Sequence, residues 1–96
     1  MEVKDIFELR KQGRIEEAYD LIREKYKTYH GYHTTMCMFW CASDMVQLRI
    51  EEGRIEEAEL IYKAMQRMMS HMTDTEGTNV RQMIKLERIL KDVKSK

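Results

Sequence analysis

The sequence contains no proline and only four glycines. Both residues interrupt regular secondary structure, so their scarcity favours long helices with few breaks. β-Branched residues are few, and no run alternates between apolar and polar residues as a strand would. Glu, Lys, Arg, Leu, Met and Ala are abundant, and all of them favour helices. The composition therefore predicts an all-α protein, and a length of 96 residues predicts a single helical domain over residues 1–96.

Balanced charge limits the classes of partner. Lys plus Arg and Asp plus Glu each number 17, and this balance gives no indication of nucleic-acid binding. No apolar run approaches the length that spans a membrane, and residues 1–10 carry charges where a secretory signal needs an apolar stretch. Two cysteines make no disulfide framework. We therefore expect a cytoplasmic protein with no membrane partner.

A six-residue motif, GRIEEA, occurs twice, at residues 13–18 and 53–58. A period of about 40 residues indicates stacked supersecondary units. In each copy the glycine can adopt the left-handed backbone that ends a helix, and the glutamates suit the positive end of the next helix dipole. The alanine permits close approach of a neighbouring helix. The residues expected to define the repeat are Gly13, Ile15, Ala18, Gly53, Ile55, Ala58 and Tyr62.

Apolar residues at helical spacing predict five helices. Their expected ranges are 3–12, 15–26, 34–52, 55–71 and 80–94, with Thr78 or Asn79 capping the last helix. They form one hairpin at 3–26, a second at 34–71 and a capping helix at 79–94. Loops are expected at 27–32 and 73–78.

The repeated motif resembles the tetratricopeptide repeat (TPR). In that family the first helix of a hairpin ends at glycine, and the second carries an apolar residue, then an alanine and an aromatic at fixed offsets. The second copy matches at Gly53, Ile55, Ala58 and Tyr62. The first copy has Ile22 in place of the aromatic, and the repeat spacing exceeds the family period of about 34 residues. The resemblance, over residues 5–25 and 42–69, implies a right-handed array of about five antiparallel helices.

The resemblance also implies a concave groove lined by the first helix of each hairpin. The positions that would line it are Val3, Phe7, Arg10, Lys11, Trp40, Ser43, Gln47, Ile50 and Glu51. Some members of the family clamp the C-terminal carboxylate of a peptide with Lys, Arg and Asn side chains. Val3, Phe7, Ser43 and Gln47 occupy key positions of that clamp here, so we do not expect this type of binding.

Sulfur-containing residues are the next candidates for chemistry. His33, Cys37 and Cys41 recur every four residues, and His and Cys are zinc ligands. Together they span about 12 Å of helix, which is too far for one ion, so we predict no metal site. The nine methionines fill gaps between helices, form an adaptable interaction surface or bind a soft metal.

Three further segments leave alternatives open. Residues 36–42 are apolar around more than one helix face, so Trp40 is either core or part of an interface. The aromatic segment 26–33 is either a packed connector or a functional loop. Helix 5 and the tail are rich in Lys and Arg, which indicates either a solvated face or a site for RNA or an acidic protein.

No nucleophile–base pair, phosphate loop or paired acid site is visible in the sequence. We therefore predict a non-catalytic protein–protein interaction module or scaffold without cofactors, whose partner the sequence does not identify. The alternatives are nucleic-acid binding through helix 5 and a metal- or redox-responsive role for Cys37 and Cys41. Because about three repeats are normally needed to cover a repeat core, we also predict a homodimer through helix 1 or residues 36–40.

Overall fold

The computed structural model describes residues 2–71 and 77–95, and within them it contains helices and no strand. The helices are α1 (Val3–Lys11), α2 (Ile15–Thr28), α3 (Tyr32–Glu51), α4 (Ile55–His71) and α5 (Gly77–Lys94). The predictions of an all-α fold and of five helices are confirmed for this part of the chain. In the same ranges no helix combines the length and apolar character needed to cross a membrane. Residues 72–76, which include most of the expected second loop, lie outside the described residues.

Three predicted helix boundaries are wrong by two or three residues. The loop expected at 27–32 shrinks to residues 29–31, because α2 continues to Thr28 and α3 begins at Tyr32. The Tyr29 N–H still donates to the Lys25 carbonyl at 3.1 Å, which extends the helical hydrogen bonding past the expected end. Helix α5 begins at Gly77, so neither Thr78 nor Asn79 is its cap, and Asn79 is buried in the first turn. Terminal turns depend on few hydrogen bonds, so sequence patterns locate them poorly.

The chain divides into two compact units, Met1–Met45 and Val46–Lys96. The first unit contains α1, α2 and the first part of α3, and α1 packs against α2. Its core includes Ile6, Ile22 and Phe39, each at most 1% exposed. Ile6 and Leu9 are three residues apart and both are buried, as expected for the apolar face of a short helix.

The second unit contains the rest of α3 with α4 and α5, and α4 contacts α5. Its buried apolar residues include Met65, Met68, Leu86 and Leu90. The Tyr62 hydroxyl donates to the Met83 carbonyl at 3.4 Å, which adds a polar contact between α4 and α5. Met38 and Met45 of the first unit are buried as well, which argues against an exposed interaction surface at these four methionines.

The two copies of the GRIEEA motif form the same turn. Gly13 and Gly53 have φ of 82° and 77°, the left-handed conformation that glycine adopts without steric cost. The Gly13 and Arg14 N–H groups donate to the Arg10 and Leu9 carbonyls at 3.0 Å. The corresponding bonds of the second copy run from Gly53 to Ile50 and from Arg54 to Arg49, at 3.0 and 2.8 Å. This pair of bonds is the Schellman motif that ends many helices.

The residues that follow the two glycines also make the same contacts in both copies. Arg14 pairs with Glu17 and Arg54 pairs with Glu57, each at 2.5 Å, one turn into the following helix. Ala18 and Ala58 are completely buried, so a small residue lies where each second helix is packed. The repeat therefore specifies the same local structure twice.

Candidate binding groove in the first unit

A groove of about 570 Å³ lies in the first unit where the start of α1, the end of α2 and the start of α3 meet. It is open to solvent. Val3 and Phe7 line it from α1, and Lys25 and Thr28 line it from α2. Tyr29, Tyr32 and His33 complete it from the connection and the first turn of α3.

Local sequence fixes the α1 side of the groove. Glu2 and Asp5 form a reciprocal capping box, in which the Glu2 N–H donates to Asp5 Oδ2 at 3.0 Å. This starts α1 at Val3. Residues four positions apart lie on one helix face, so Val3 and Phe7 are presented together toward the groove.

Gly31 fixes the position of Tyr29 on the opposite side. Tyr29 leaves α2 with an extended backbone, and its ring lies against Gly31. A Cβ at Gly31 would overlap the Cε1 atom of the Tyr29 ring, so a larger residue at this position would require the ring to move. Glycine at this position is therefore what lets the ring occupy its place.

The charged groups around the groove are mostly basic. Lys4 and Lys25 are the basic lining residues, and Glu2 is the acidic one. Glu2 takes part in the capping box of α1, where the positive end of the helix dipole offsets its charge. The groove thus combines aromatic side chains with positive charge, a combination that suits an apolar group carrying a carboxylate.

The predicted groove residues separate into several environments. Val3 and Phe7 do line the groove, and Lys11 is exposed at the other end of α1, 3.6 Å from Glu8. Ser43 is completely buried, so in this structure it is not available to a ligand. Three predicted positions, Gln47, Ile50 and Glu51, belong to the second unit. Gln47 and Ile50 are half-buried, and Glu51 is exposed.

Arg10 and Trp40 belong to an internal cluster of the first unit. Arg10 Nε and Nη2 donate to the two carboxylate oxygens of Asp44 at 2.5 and 3.3 Å. The guanidinium also lies over the Trp40 ring, 5.6 Å from its centroid, a cation–π distance. Trp40 packs edge-on against Phe39 at 5.3 Å and is half-buried. These contacts join α1 to α3, so both residues have structural partners within the unit.

The residues that give the groove its aromatic surface and part of its positive charge were not identified from the sequence. Tyr29, Tyr32, Lys25 and Thr28 were absent from the predicted set, which was transferred from helix positions of the tetratricopeptide repeat. The aromatic segment 26–33 was the available signal, because it contains both tyrosines. Of the two interpretations of this segment, a packed connector or a functional loop, the geometry of the groove favours the functional loop.

The two thiols of α3 lie together in the core of the first unit. Cys37 and Cys41 are at most 1% exposed and their Sγ atoms are 4.0 Å apart, whereas His33 is exposed. The hydrogen bond that the two thiols share lowers the pKa of Cys37, and the same hydrogen bond, together with burial, raises the pKa of Cys41. Within residues 2–71 and 77–95 no three His, Cys, Asp or Glu side chains are grouped to hold a metal ion.

The basic character of α5 is partly neutralised. Lys91 pairs with Glu87 at 3.1 Å, and Lys94 pairs with Glu59 of α4 at 2.7 Å. Arg81, Lys85 and Arg88 line a shallow depression on the same helix, together with Asp92. A mixed surface of this kind offers less to a phosphate backbone than the sequence count implies.

Comparison of the chain with protein-family models, with curated proteins and with solved structures found no match. Functional inference therefore depends on the chemistry of the groove and of the buried thiols.

Proposed function

We propose that this chain is a non-catalytic protein–protein interaction module of the TPR-like type, with the groove of the first unit as its partner site. The observation that carries the proposal is the exposure of aromatic side chains around the groove. Tyr29 is 62% exposed and Tyr32 is 50% exposed, and both lie beside the half-buried Phe7. Aromatic residues dominate the binding energy of protein interfaces, and a cluster of them is more informative than one exposed apolar residue.

The charge around the groove defines the chemistry of the partner. Lys4 and Lys25 favour a segment that carries a carboxylate next to an aromatic or aliphatic side chain. A groove of about 570 Å³ falls within the range of about 300–1,000 Å³ that ligand sites occupy. It accommodates a few side chains of a peptide or of a protruding loop, and it leaves most of the partner outside.

The TPR-like part of the proposal is supported by the paired turns. Both copies have a left-handed glycine, the same two closing hydrogen bonds and a buried alanine at the same offset. Modules built from helix hairpins commonly present a binding surface rather than a reaction centre.

A peptide selection tests the proposal. A displayed library of random peptides is selected on the purified chain, and the affinity of the enriched peptides is measured by calorimetry. Tyr29→Ala and Tyr32→Ala remove exposed rings, so the fold should survive both changes. Each should weaken binding by about tenfold or more, which corresponds to about 1.4 kcal/mol.

Leu60→Ala is the matched control. Leu60 is 66% exposed, lies in the second unit and is not among the groove residues. Its removal should leave the affinity unchanged, and the selected peptides should be acidic and bind less tightly at high salt. Peptides that bind equally well to both tyrosine variants, or that lose affinity only in Leu60→Ala, would place the partner site elsewhere.

A further inference from the structure

The face of α3 that holds the thiols is unusually rich in sulfur. Cys37 and Cys41 lie on consecutive turns, and Met45 follows one turn later, at 2% exposure. Met38, at 8% exposure, is three residues before Cys41. At 3.6 residues per turn these four side chains leave the helix within an arc of about 100°. Two thiols and two thioethers therefore lie on one buried face of the first unit.

The helix keeps the two thiols from forming a disulfide. Cβ atoms four residues apart on a helix are separated by about 5–6 Å. A disulfide needs Cβ atoms about 3.5–4.5 Å apart. Oxidation of Cys37 and Cys41 to a disulfide would thus distort the middle of α3, so the pair is held as two neighbouring reduced sulfurs.

We propose that Cys37 and Cys41 form a binding site for a soft monovalent metal ion, Cu(I). With metal–thiolate bonds of about 2.3 Å, sulfurs 4.0 Å apart subtend about 120° at an ion between them. That angle belongs to three-coordinate geometry and leaves one position for a thioether, for which Met38 is the candidate because it lies between the two cysteines in the chain. Thiolate and thioether donors select Cu(I) among biological metals.

Zinc is disfavoured by the same residues. A tetrahedral zinc site needs further His, Cys or carboxylate ligands beside the two thiolates. In the part of the chain that the structure describes, no group of three such side chains is placed to hold an ion. Thioethers are poor substitutes for them, because zinc is harder than Cu(I).

Proton and charge balance can be followed through the loading step. One Cu(I) ion binds two thiols, both S–H bonds break, and two protons leave to solvent. The copper stays Cu(I), so the step needs no oxidant or reductant. The product carries one negative charge.

An anaerobic competition titration tests the site. The full chain is titrated with Cu(I) buffered by bicinchoninate, while chelator absorbance, thiolate-to-copper ultraviolet absorbance and proton release are recorded. One ion should bind per chain, with the charge-transfer band and with two protons released near neutral pH. Zn(II), added alone, should not bind with comparable affinity.

Variants distinguish the thiols from the methionines. Cys37→Ala and Cys41→Ala should each weaken Cu(I) binding by more than about 100-fold, since even outer-shell changes cost about 10–100-fold. Met38→Leu should weaken it by a smaller factor. Met65→Leu is the matched control, because Met65 is equally buried but lies in the second unit.

Three outcomes would overturn the proposal. The first is that the unaltered chain fails to take Cu(I) from the chelator or shows no charge-transfer band. This outcome can be read without any variant, so it does not depend on whether the variants fold. A folded Cys41→Ala variant binds as tightly as the unaltered chain. Met65→Leu lowers affinity as much as either cysteine change, which would show that methionines in general, and not this thiol pair, hold the ion.

Discussion

Replacing Gly53 by alanine isolates the energy of one backbone conformation. Gly53 has φ of 77°, and a Cβ built there meets no other atom within 4 Å. The substitution therefore introduces no steric overlap and removes neither hydrogen bond of the turn. What it adds is the left-handed conformation of a non-glycine residue, which costs about 1–2 kcal/mol.

Part of that cost is recovered in the unfolded state. Alanine has fewer unfolded conformations than glycine, which contributes about 0.4–1 kcal/mol in favour of folding. The net loss should therefore be about 1 kcal/mol. Urea unfolding followed by far-ultraviolet circular dichroism measures it. With a slope of about 1–3 kcal/mol per molar urea, the midpoint should fall by about 0.5 M.

Two further variants test the reasoning. Gly53→Asn should cost less than Gly53→Ala, because asparagine tolerates the left-handed region. Gly77→Ala is the matched control: Gly77 begins α5 without a positive φ, and its new Cβ would lie 3.2 Å from the mobile end of Arg81. It should leave stability unchanged or slightly raised. Equal stability of Gly53→Ala and the unaltered chain would refute the argument.

Three other predictions concern packing, titration and assembly. Ala18→Leu and Ala58→Leu should each lower the free energy of unfolding by about 1–3 kcal/mol through overpacking, and urea midpoints unchanged in both would show that the repeat register is wrong. Burial raises the pKa of Tyr62, so its stabilising effect is complete below the ordinary tyrosine pKa of about 10 and is lost as pH rises through the folded value. Tyr62→Phe should therefore reduce the fall in stability at alkaline pH, and an identical pH profile would contradict this. Sedimentation equilibrium should show a homodimer whose interface buries at least about 1,000 Å², whereas a clean monomer mass at micromolar concentration would rule it out.

The regular parts of the structure could be predicted from the sequence because they depend on local signals. Gly13 and Gly53 each follow the end of a helix, and the residues after them begin the next one, so the starts of α2 and α4 were located to the residue. These signals act within a few residues and occur twice in the chain. The end of α2 and the starts of α3 and α5 lacked an equally specific signal, and those boundaries were wrong by two or three residues.

The candidate site was only partly predictable because it depends on tertiary contacts. Val3 and Phe7 were expected to line a groove because of positions transferred from the tetratricopeptide repeat, and both are among the residues of the groove in the first unit. Arg10 was expected there too, but it pairs with Asp44, a residue far along the chain that no local pattern connects to it. Tyr29 owes its position to an unusual approach to Gly31, which composition alone does not reveal.

Because Tyr29 lies against Gly31, the residue at position 31 determines where the Tyr29 ring lies and therefore the shape of the groove. The atoms that an added Cβ would meet belong to the outer end of the Tyr29 ring, and that side chain is mostly exposed. Alanine at position 31 would therefore rotate the ring aside without disturbing the core, and a larger residue would move it further. We expect changes at this position to alter the shape of the groove while leaving folding intact. A library varied only at Gly31 would sample grooves of different width on an unchanged helical scaffold.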